Sequence, residues 1–190
     1  HKPLSRSQIA EFTQALNQYG GYRTTVIALK LILLTFVRTV ELRKASWSEF
    51  DLERGEWRIP AERMKMRVAH IVPLSRQALA LLQELQTYTG QRAMLFPNYR
   101  NPNECMTPTT LNRALERMGF NGKDSIGFSA HGVRATASTM LNEMGYRAGV
   151  IERQLAHAER NKVRASYNQA EYLAERREMV QVWADMIDEM

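Results

Sequence analysis

The chain has 190 residues and a formal net charge of +6, with 44% hydrophobic and 24% charged residues. This length suits one domain with a buried core and is short for two. The longest apolar run, Ile27–Val37, contains Lys30 and is too short to cross a bilayer, and the first residues lack a signal-peptide pattern. The single cysteine, Cys105, rules out an internal disulfide and fits a reducing compartment. We therefore expect a cytoplasmic protein without a membrane partner, whose positive charge suits a polyanion.

Hydrophobic periodicity predicts a chain that is mostly helical. A first amphipathic helix is capped by Ser5 and ends at the glycine pair Gly20–Gly21. The further predicted helices are Arg23–Phe36, Arg38–Ala45, Arg76–Tyr88, Thr109–Met118, Ser129–Met144, Ala148–Leu155 and Lys162–Glu189.

A small sheet is predicted between the third and fourth of these helices. The segment WSEFDLERGEWRIP has a turn at Glu53–Gly55 between two short β-prone runs, which is the pattern of a hairpin. A third strand, with alternating Val68, His70 and Val72, follows a turn at Met64–Arg67. The predicted fold class is therefore mainly α with a small three-stranded antiparallel sheet, an α+β arrangement.

His131 and Arg134 are the first candidates for chemistry. Ser129 can cap the helix that follows it, which would put both side chains in its first turns and, at a spacing of three, on one face. A cation and a hydrogen-bond donor beside a helix N-terminus are suited to binding phosphate. A surface arginine beside a structural histidine is the commoner explanation of this motif taken alone.

Arg38 follows an apolar stretch that includes Leu34 and Phe36. A guanidinium at the end of a buried helix needs an anionic partner, because an unpaired buried charge is costly. Glu41 could supply this partner within the same turn, or the partner could be a phosphate, which arginine binds with a bidentate fork.

Three more candidates follow from the sequence. Lys65 lies in the predicted turn between two strands, where a hairpin tip could reach DNA. His157 follows a short helix, and Tyr167 lies ten positions later. A nucleophilic tyrosine needs nearby cations, because its pKa is normally near 10. Taken singly, a solvated lysine and a packed tyrosine are more common.

The order of these residues resembles the tyrosine recombinase family over nearly the whole chain. TFVRTVEL resembles its first arginine box, SAHGVRATAST its His-x-x-Arg box, and LAHAERNKVRASYN the box with the nucleophile. RMKMRVAHIVPLS resembles its lysine hairpin, with Lys65 eight residues before Pro73, and the C-terminal tail resembles integrases of genomic islands and satellite phages. Phe36 stands where the first box often has glycine. The step from His157 to Tyr167 is one residue longer than in many members, which leaves Tyr172 as a second candidate nucleophile.

The resemblance implies site-specific DNA recombination without metal, ATP or any other cofactor. Tyr167 would attack the scissile phosphate to form a 3′-phosphotyrosine, and Arg38 and Arg134 would bind the phosphate oxygens. His131 would help to take the tyrosine proton, and His157 would donate a hydrogen bond to the phosphate. Lys65 would protonate the leaving 5′-oxygen.

The resemblance also implies partners and a larger protein. The partners would be double-stranded DNA at attachment sites, three further copies in a tetramer, and accessory DNA-bending and excision proteins. Residues 1–190 would be a single catalytic domain, and the absence of an initial methionine suggests a fragment whose N-terminal DNA-binding domains lie elsewhere. Two alternatives are a magnesium-dependent nuclease or transposase with an acidic triad and a catalytically inactive DNA-binding module derived from a recombinase.

Overall fold

The computed structural model describes residues 2–157 and 172–190. Within these ranges the chain is mainly helical with one small sheet, which confirms the predicted fold class. The helices are α1 (Arg6–Gln18), α2 (Arg23–Thr35), α3 (Thr39–Arg43), α4 (Arg76–Thr89), α5 (Pro108–Arg117), α6 (Gly132–Glu143), α7 (Ala148–Gln154) and α8 (Leu173–Asp188). In this part of the chain, no helix is both long enough and apolar enough to cross a membrane.

Helix α2 forms the centre of the core. Ten of its thirteen residues are buried, and helices α1, α4, α5 and α8 all pack against it. A helix that is apolar on every side is stable only when other elements surround it. The position of α2 therefore determines where its C-terminal end, and the arginine that follows, reach the surface.

The end of α2 is formed by Phe36 in a left-handed conformation, with φ of 62°. Its N–H donates to the carbonyl of Ile32 at 2.9 Å, as in a helix terminus that uses glycine. The phenyl ring is fully buried and packs edge-on against Trp183 of α8, with the ring centroids 5.2 Å apart. This conformation costs a non-glycine residue about 1–2 kcal/mol, and burying a phenyl ring stabilises by about 1.5–3 kcal/mol. Tertiary packing thus allows phenylalanine at the position where glycine is common.

The sheet has the antiparallel order β1-β2-β3. Its strands are β1 (Phe50–Asp51), β2 (Glu56–Ile59) and β3 (His70–Pro73). The predicted first turn is confirmed, since Gly55 has φ of +64°. The third strand was predicted wrongly in two respects. It begins at His70 and excludes Val68, and all its residues are buried, because α8 packs against it and removes the expected alternation.

The C-terminal helix begins later than predicted. Tyr172 has a left-handed conformation, with φ of 57°, so α8 begins at Leu173 and a continuous helix from Lys162 to Glu189 is wrong. Residues 162–171 of that prediction lie outside the described residues. Helix α8 contacts α1, α2, α7 and β3, and Arg177 binds Glu56 of β2 with 2.5 Å between Nη2 and Oε1. The C-terminal helix is therefore part of the core.

Candidate active site

Arg134 connects the ends of two helices that are distant in sequence. Its side chain is buried within α6, and its guanidinium donates to the carbonyls of Phe36 and Leu155, each at 2.6 Å. These carbonyls belong to the ends of α2 and α7. Burial, reinforced by the charge of Arg38, lowers the Arg134 pKa to about 10, so the side chain stays cationic at neutral pH.

Arg38 lies two residues after Phe36 and precedes α3. Its Nη1 is 3.1 Å from Oε1 of Glu41, and the Arg38 backbone N–H donates to Oε2 of the same carboxylate at 2.9 Å. Glu41, the anionic partner that the sequence suggested within the same turn, therefore does bind Arg38. Glu41 is buried, whereas the Arg38 side chain remains 19% exposed. The carboxylate orients the guanidinium and leaves part of it accessible to a ligand.

His131 lies beside these cations, although the predicted helix start was wrong. Helix α6 begins at Gly132 with His131 as its N-cap residue, and Ser129 forms no side-chain cap. Partial burial lowers the His131 pKa, and the charges of Arg134, Arg38 and Lys65 lower it further. The imidazole is therefore predominantly neutral at pH 7 and able to accept a proton.

The start of α6 has fewer free N–H donors for an anion than the sequence suggests. The N–H groups of residues 132–134 donate to the carbonyls of residues 129–131 at 2.8–3.4 Å. These turns before the helix use the donors that an anion would otherwise bind at a helix N-terminus. An anion bound at this place would therefore rely mainly on side chains.

Lys65 lies in a longer connection than the predicted tight turn. Residues 60–69 join β2 to β3 and include a 3-10 turn at Ala61–Arg63. Arg63 anchors this connection through Glu49, with 2.6 Å between Nη2 and Oε1, and through the carbonyl of Glu41 at 3.0 Å. Lys65 follows this anchor and is exposed. Because its charge lowers the His131 pKa, Lys65 belongs to the same cationic region.

His157 lies just beyond α7, two residues after the Leu155 carbonyl that binds Arg134. Its Nδ1 is 2.5 Å from Oε2 of Glu152, and its side chain is 44% exposed. The negative charge of Glu152 also raises the Arg134 pKa, which brings this histidine–glutamate pair near the buried guanidinium. Five of the six predicted site residues therefore lie in one cationic region, and the sixth, Tyr167, lies outside the described residues.

Tyr172, the alternative nucleophile, packs against the beginning of α7. The guanidinium of Arg147 lies 4.9 Å from the centre of the Tyr172 ring, and the ring also lies against Gly149. Gly149 and Leu155 are separated by about 9 Å along the axis of α7 at 1.5 Å per residue. Tyr172 therefore packs at the opposite end of α7 from the carbonyl that binds Arg134.

Three polar residues under the site were not singled out from the sequence: His70, Gln154 and Arg176. All three are buried. His70 begins β3, directly after the connection that carries Lys65. Gln154 directly precedes Leu155, whose carbonyl binds Arg134. One signal was available for Arg176, which shares a helical face with the buried residues Met179, Val180 and Trp183. Comparable signals existed for the other two, since Gln154 follows the buried Val150 and Ile151 at helical spacing and His70 alternates with the buried Val72.

Across residues 2–157 and 172–190, no three His, Cys, Asp or Glu side chains come together in a way that could hold a metal ion.

Sequence comparison relates the chain to integrases. It is 45% identical over 203 aligned residues to the integrase of Enterobacteria phage P4, covering 99% of this chain and 46% of that protein. It is 46% identical to the prophage integrase IntA of Escherichia coli (strain K12), covering 82% of this chain and 37% of that protein. The chain therefore spans less than half the length of these two relatives.

Solved structures of recombinases share the fold. The integrase from mycobacterium phage Brujita has a TM-score of 0.70 at 18% identity, covering 95% of this chain and 59% of that one. The Tn1549 transposon integrase in complex with circular intermediate DNA has a TM-score of 0.70 at 15% identity, covering 90% of this chain and 67% of that one. The phage integrase family model matches residues 2–173, a range that includes all six predicted site residues. The chain therefore belongs to the phage integrase family, and its sequence resemblance to tyrosine recombinases is confirmed.

Proposed function

We propose that this chain cuts and rejoins double-stranded DNA at specific sites through a 3′-phosphotyrosine intermediate, with Tyr167 as the nucleophile. The observation that carries the proposal is the buried guanidinium of Arg134, which binds the ends of α2 and α7 and so gathers Arg38, His131 and His157 around it. The Tn1549 transposon integrase, which shares the fold, forms a complex with circular intermediate DNA, and this supports DNA binding by the chain.

The two arginines would bind the scissile phosphate. Arg38 is the more accessible, and its pairing with Glu41 would hold it ready for the phosphate. Arg134 would contribute fixed positive charge from below, because its own hydrogen bonds prevent it from turning away. Fixed donors aimed at the phosphate oxygens stabilise the negative charge that grows in the transition state. The same cations would lower the pKa of the attacking phenol.

Proton transfer would accompany cleavage at two atoms. The Tyr167 oxygen bonds to phosphorus as the bond to the 5′-oxygen breaks. The neutral His131 would help to accept the phenol proton, and the ammonium of Lys65 would donate a proton to the leaving 5′-oxygen. His157 would donate a hydrogen bond to a phosphate oxygen, with Glu152 orienting its ring. Rejoining is the reverse reaction by a 5′-hydroxyl, and strand exchange follows when that hydroxyl belongs to another duplex.

We further propose that the chain acts as the catalytic domain of a longer integrase at bacterial attachment sites, within the nucleoid. Other domains would bind the flanking DNA, and four copies would assemble on two duplexes, aided by accessory DNA-bending and excision proteins. The net charge of +6 supports association with DNA.

A nicked suicide substrate tests the chemistry, because loss of the short 5′-fragment traps a covalent complex. We expect a DNA adduct that survives denaturation and forms equally well with excess chelator. Tyr167→Phe should abolish the adduct. Tyr172→Phe is the matched control and should retain it, because Tyr172 packs against Arg147 at the far end of α7.

Mass spectrometry of the adduct peptide identifies the attached residue. DNA attached to Tyr172 would overturn the assignment of the nucleophile. DNA binding without any adduct would instead support the inactive DNA-binding module, and cleavage abolished by chelator would support a metal-dependent nuclease.

A further inference from the structure

We propose that Gln154 is a positioning residue that sets the orientation of Arg134, and that Arg176 of α8 holds Gln154 in place. The inference rests on the proposed function, in which Arg134 binds the scissile phosphate. It assigns to the C-terminal helix a role in organising the active site through a buried hydrogen-bond network.

The Gln154 side chain is hydrogen-bonded at both its oxygen and its nitrogen. It is 1% exposed, and its Oε1 accepts from Nε of Arg176 at 3.0 Å. Its Nε2 donates to the carbonyl of Thr35 at 3.2 Å. Its main chain also lies beside His70, whose pKa it raises against the dominant effect of burial. These contacts join α2, α7, α8 and β3 at one residue.

The contacts of Gln154 run parallel to those of Arg134. Gln154 bonds to the Thr35 carbonyl, whereas Arg134 bonds to the carbonyls of Phe36 and Leu155, the residues that follow Thr35 and Gln154. Two adjacent bridges therefore connect the end of α7 to the end of α2. A shift of Gln154 displaces the adjoining Leu155 carbonyl, and loss of its bond to Thr35 frees the end of α2 that carries the Phe36 carbonyl.

Arg176 lies on the other side of Gln154 and is fully buried. Its Nη2 donates to the carbonyl of Ile71, and its Nη1 has no hydrogen-bond partner within residues 2–157 and 172–190. Burial lowers the Arg176 pKa to about 9, a value at which the guanidinium remains charged at neutral pH. Such a cation needs acceptors, because its desolvation is costly.

A neutral acceptor suits this position better than a carboxylate. Both Arg176 and Arg134 lower the pKa of His70, so the two guanidinium charges act in one neighbourhood. A carboxylate in place of the Gln154 amide would neutralise part of this positive field next to the phosphate site. Glutamine accepts a hydrogen bond from Nε of Arg176 and leaves the field available to a phosphate.

Gln154→Met tests the inference, because methionine has a similar length but forms neither hydrogen bond. Misplacement of a catalytic group by about 1 Å costs on the order of 100-fold in rate. We therefore expect adduct formation on a nicked phosphate substrate to slow by about 10- to 100-fold in this variant. Gln181→Met is the matched control, because Gln181 bonds to Gln77 and Asp185 on another face of α8, and it should react at the parent rate.

A second substrate separates positioning from general destabilisation. Replacing a non-bridging oxygen of the scissile phosphate by methyl removes its negative charge and reduces the demand for an arginine. The loss in Gln154→Met should shrink to within about threefold on this methylphosphonate, since the Arg134 contact contributes less there. Gln154→Met combined with Arg134→Lys should be little slower than Arg134→Lys alone. Equal losses on both substrates, or additive losses in the double variant, would overturn the inference.

Folding is checked by thermal melting and near-ultraviolet circular dichroism. If Gln154→Met does not fold, Gln154→Asn keeps an uncharged amide but is one methylene too short to reach both Arg176 and Thr35. The same criteria then apply to it: a loss larger on phosphate supports the inference, and equal losses on both substrates overturn it.

A parent chain that forms no adduct would instead contradict the proposed function, and with it the role of Arg134 on which this inference depends.

Discussion

The pH dependence of stability provides a direct test of the buried position of His70. Its side chain is 6% exposed, and burial, reinforced by the charges of Arg176 and Arg134, lowers its pKa from 6.5 to about 3. Between these two values the unfolded chain binds a proton at this position and the folded chain does not. The associated stability is therefore complete above pH 6.5 and decreases as the pH falls towards 3.

The size of this effect follows from the two pKa values. A pH of 5 lies about 1.5 units below the pKa of His70 in the unfolded chain, so the unfolded histidine is protonated, whereas the folded one remains neutral. At about 1.36 kcal/mol per unit, His70 should reduce the free energy of unfolding by about 2 kcal/mol between pH 7.5 and pH 5. Most carboxylates titrate below this range and contribute little to the difference.

Urea unfolding followed by tryptophan fluorescence at pH 7.5 and pH 5 measures this loss. His70→Asn keeps a hydrogen-bond donor but cannot titrate, so its stability should decrease by about 2 kcal/mol less than that of the parent over the same interval. His131→Gln is the control. His131 is more exposed than His70, so burial contributes less to lowering its pKa. If the parent and His70→Asn lose the same free energy, the reasoning about His70 is refuted.

Two further predictions concern the proposed cleavage reaction. Arg134→Lys keeps the charge but replaces two separate nitrogens, each bound to its own carbonyl, by a single nitrogen, so adduct formation should fall by about 100- to 1,000-fold. Non-specific DNA binding, measured by fluorescence anisotropy, should change little, and equal cleavage by variant and parent would exclude the role of Arg134. Lys65→Ala should cleave normal DNA slowly but recover when the bridging 5′-oxygen is replaced by sulfur, which leaves without protonation. Without this recovery, Lys65 would be only a DNA contact.

Local sequence patterns determine most of the elements and most of the site. Ser5 and Gln8 form a reciprocal capping box at the start of α1, and Gly55 forms the left-handed residue of the first hairpin. Such features depend on neighbours in sequence, so a single chain reveals them. The proposed site residues were found for a related reason, since each occurs in a short motif that carries its chemistry.

Element boundaries required the tertiary structure. Helix α6 begins after His131 because turns precede it, and α8 begins after Tyr172, whose ring packs on Arg147 and Gly149. In β3, packing of α8 on the sheet buries every residue and removes the alternation expected for a sheet with one solvated face.

The sequence by itself determined the helical periodicity, the hairpin and the order of the chemical groups, because each depends on residues close together in the chain. Only the tertiary structure explains how Phe36 can adopt a left-handed conformation that favours glycine, and what orients Arg134. Phe36 keeps its left-handed conformation through Trp183, and the acceptor carbonyls of Arg134 are held by Gln154 and Arg176. These partners lie far apart in sequence, and their interaction energies arise only when folding removes them from water.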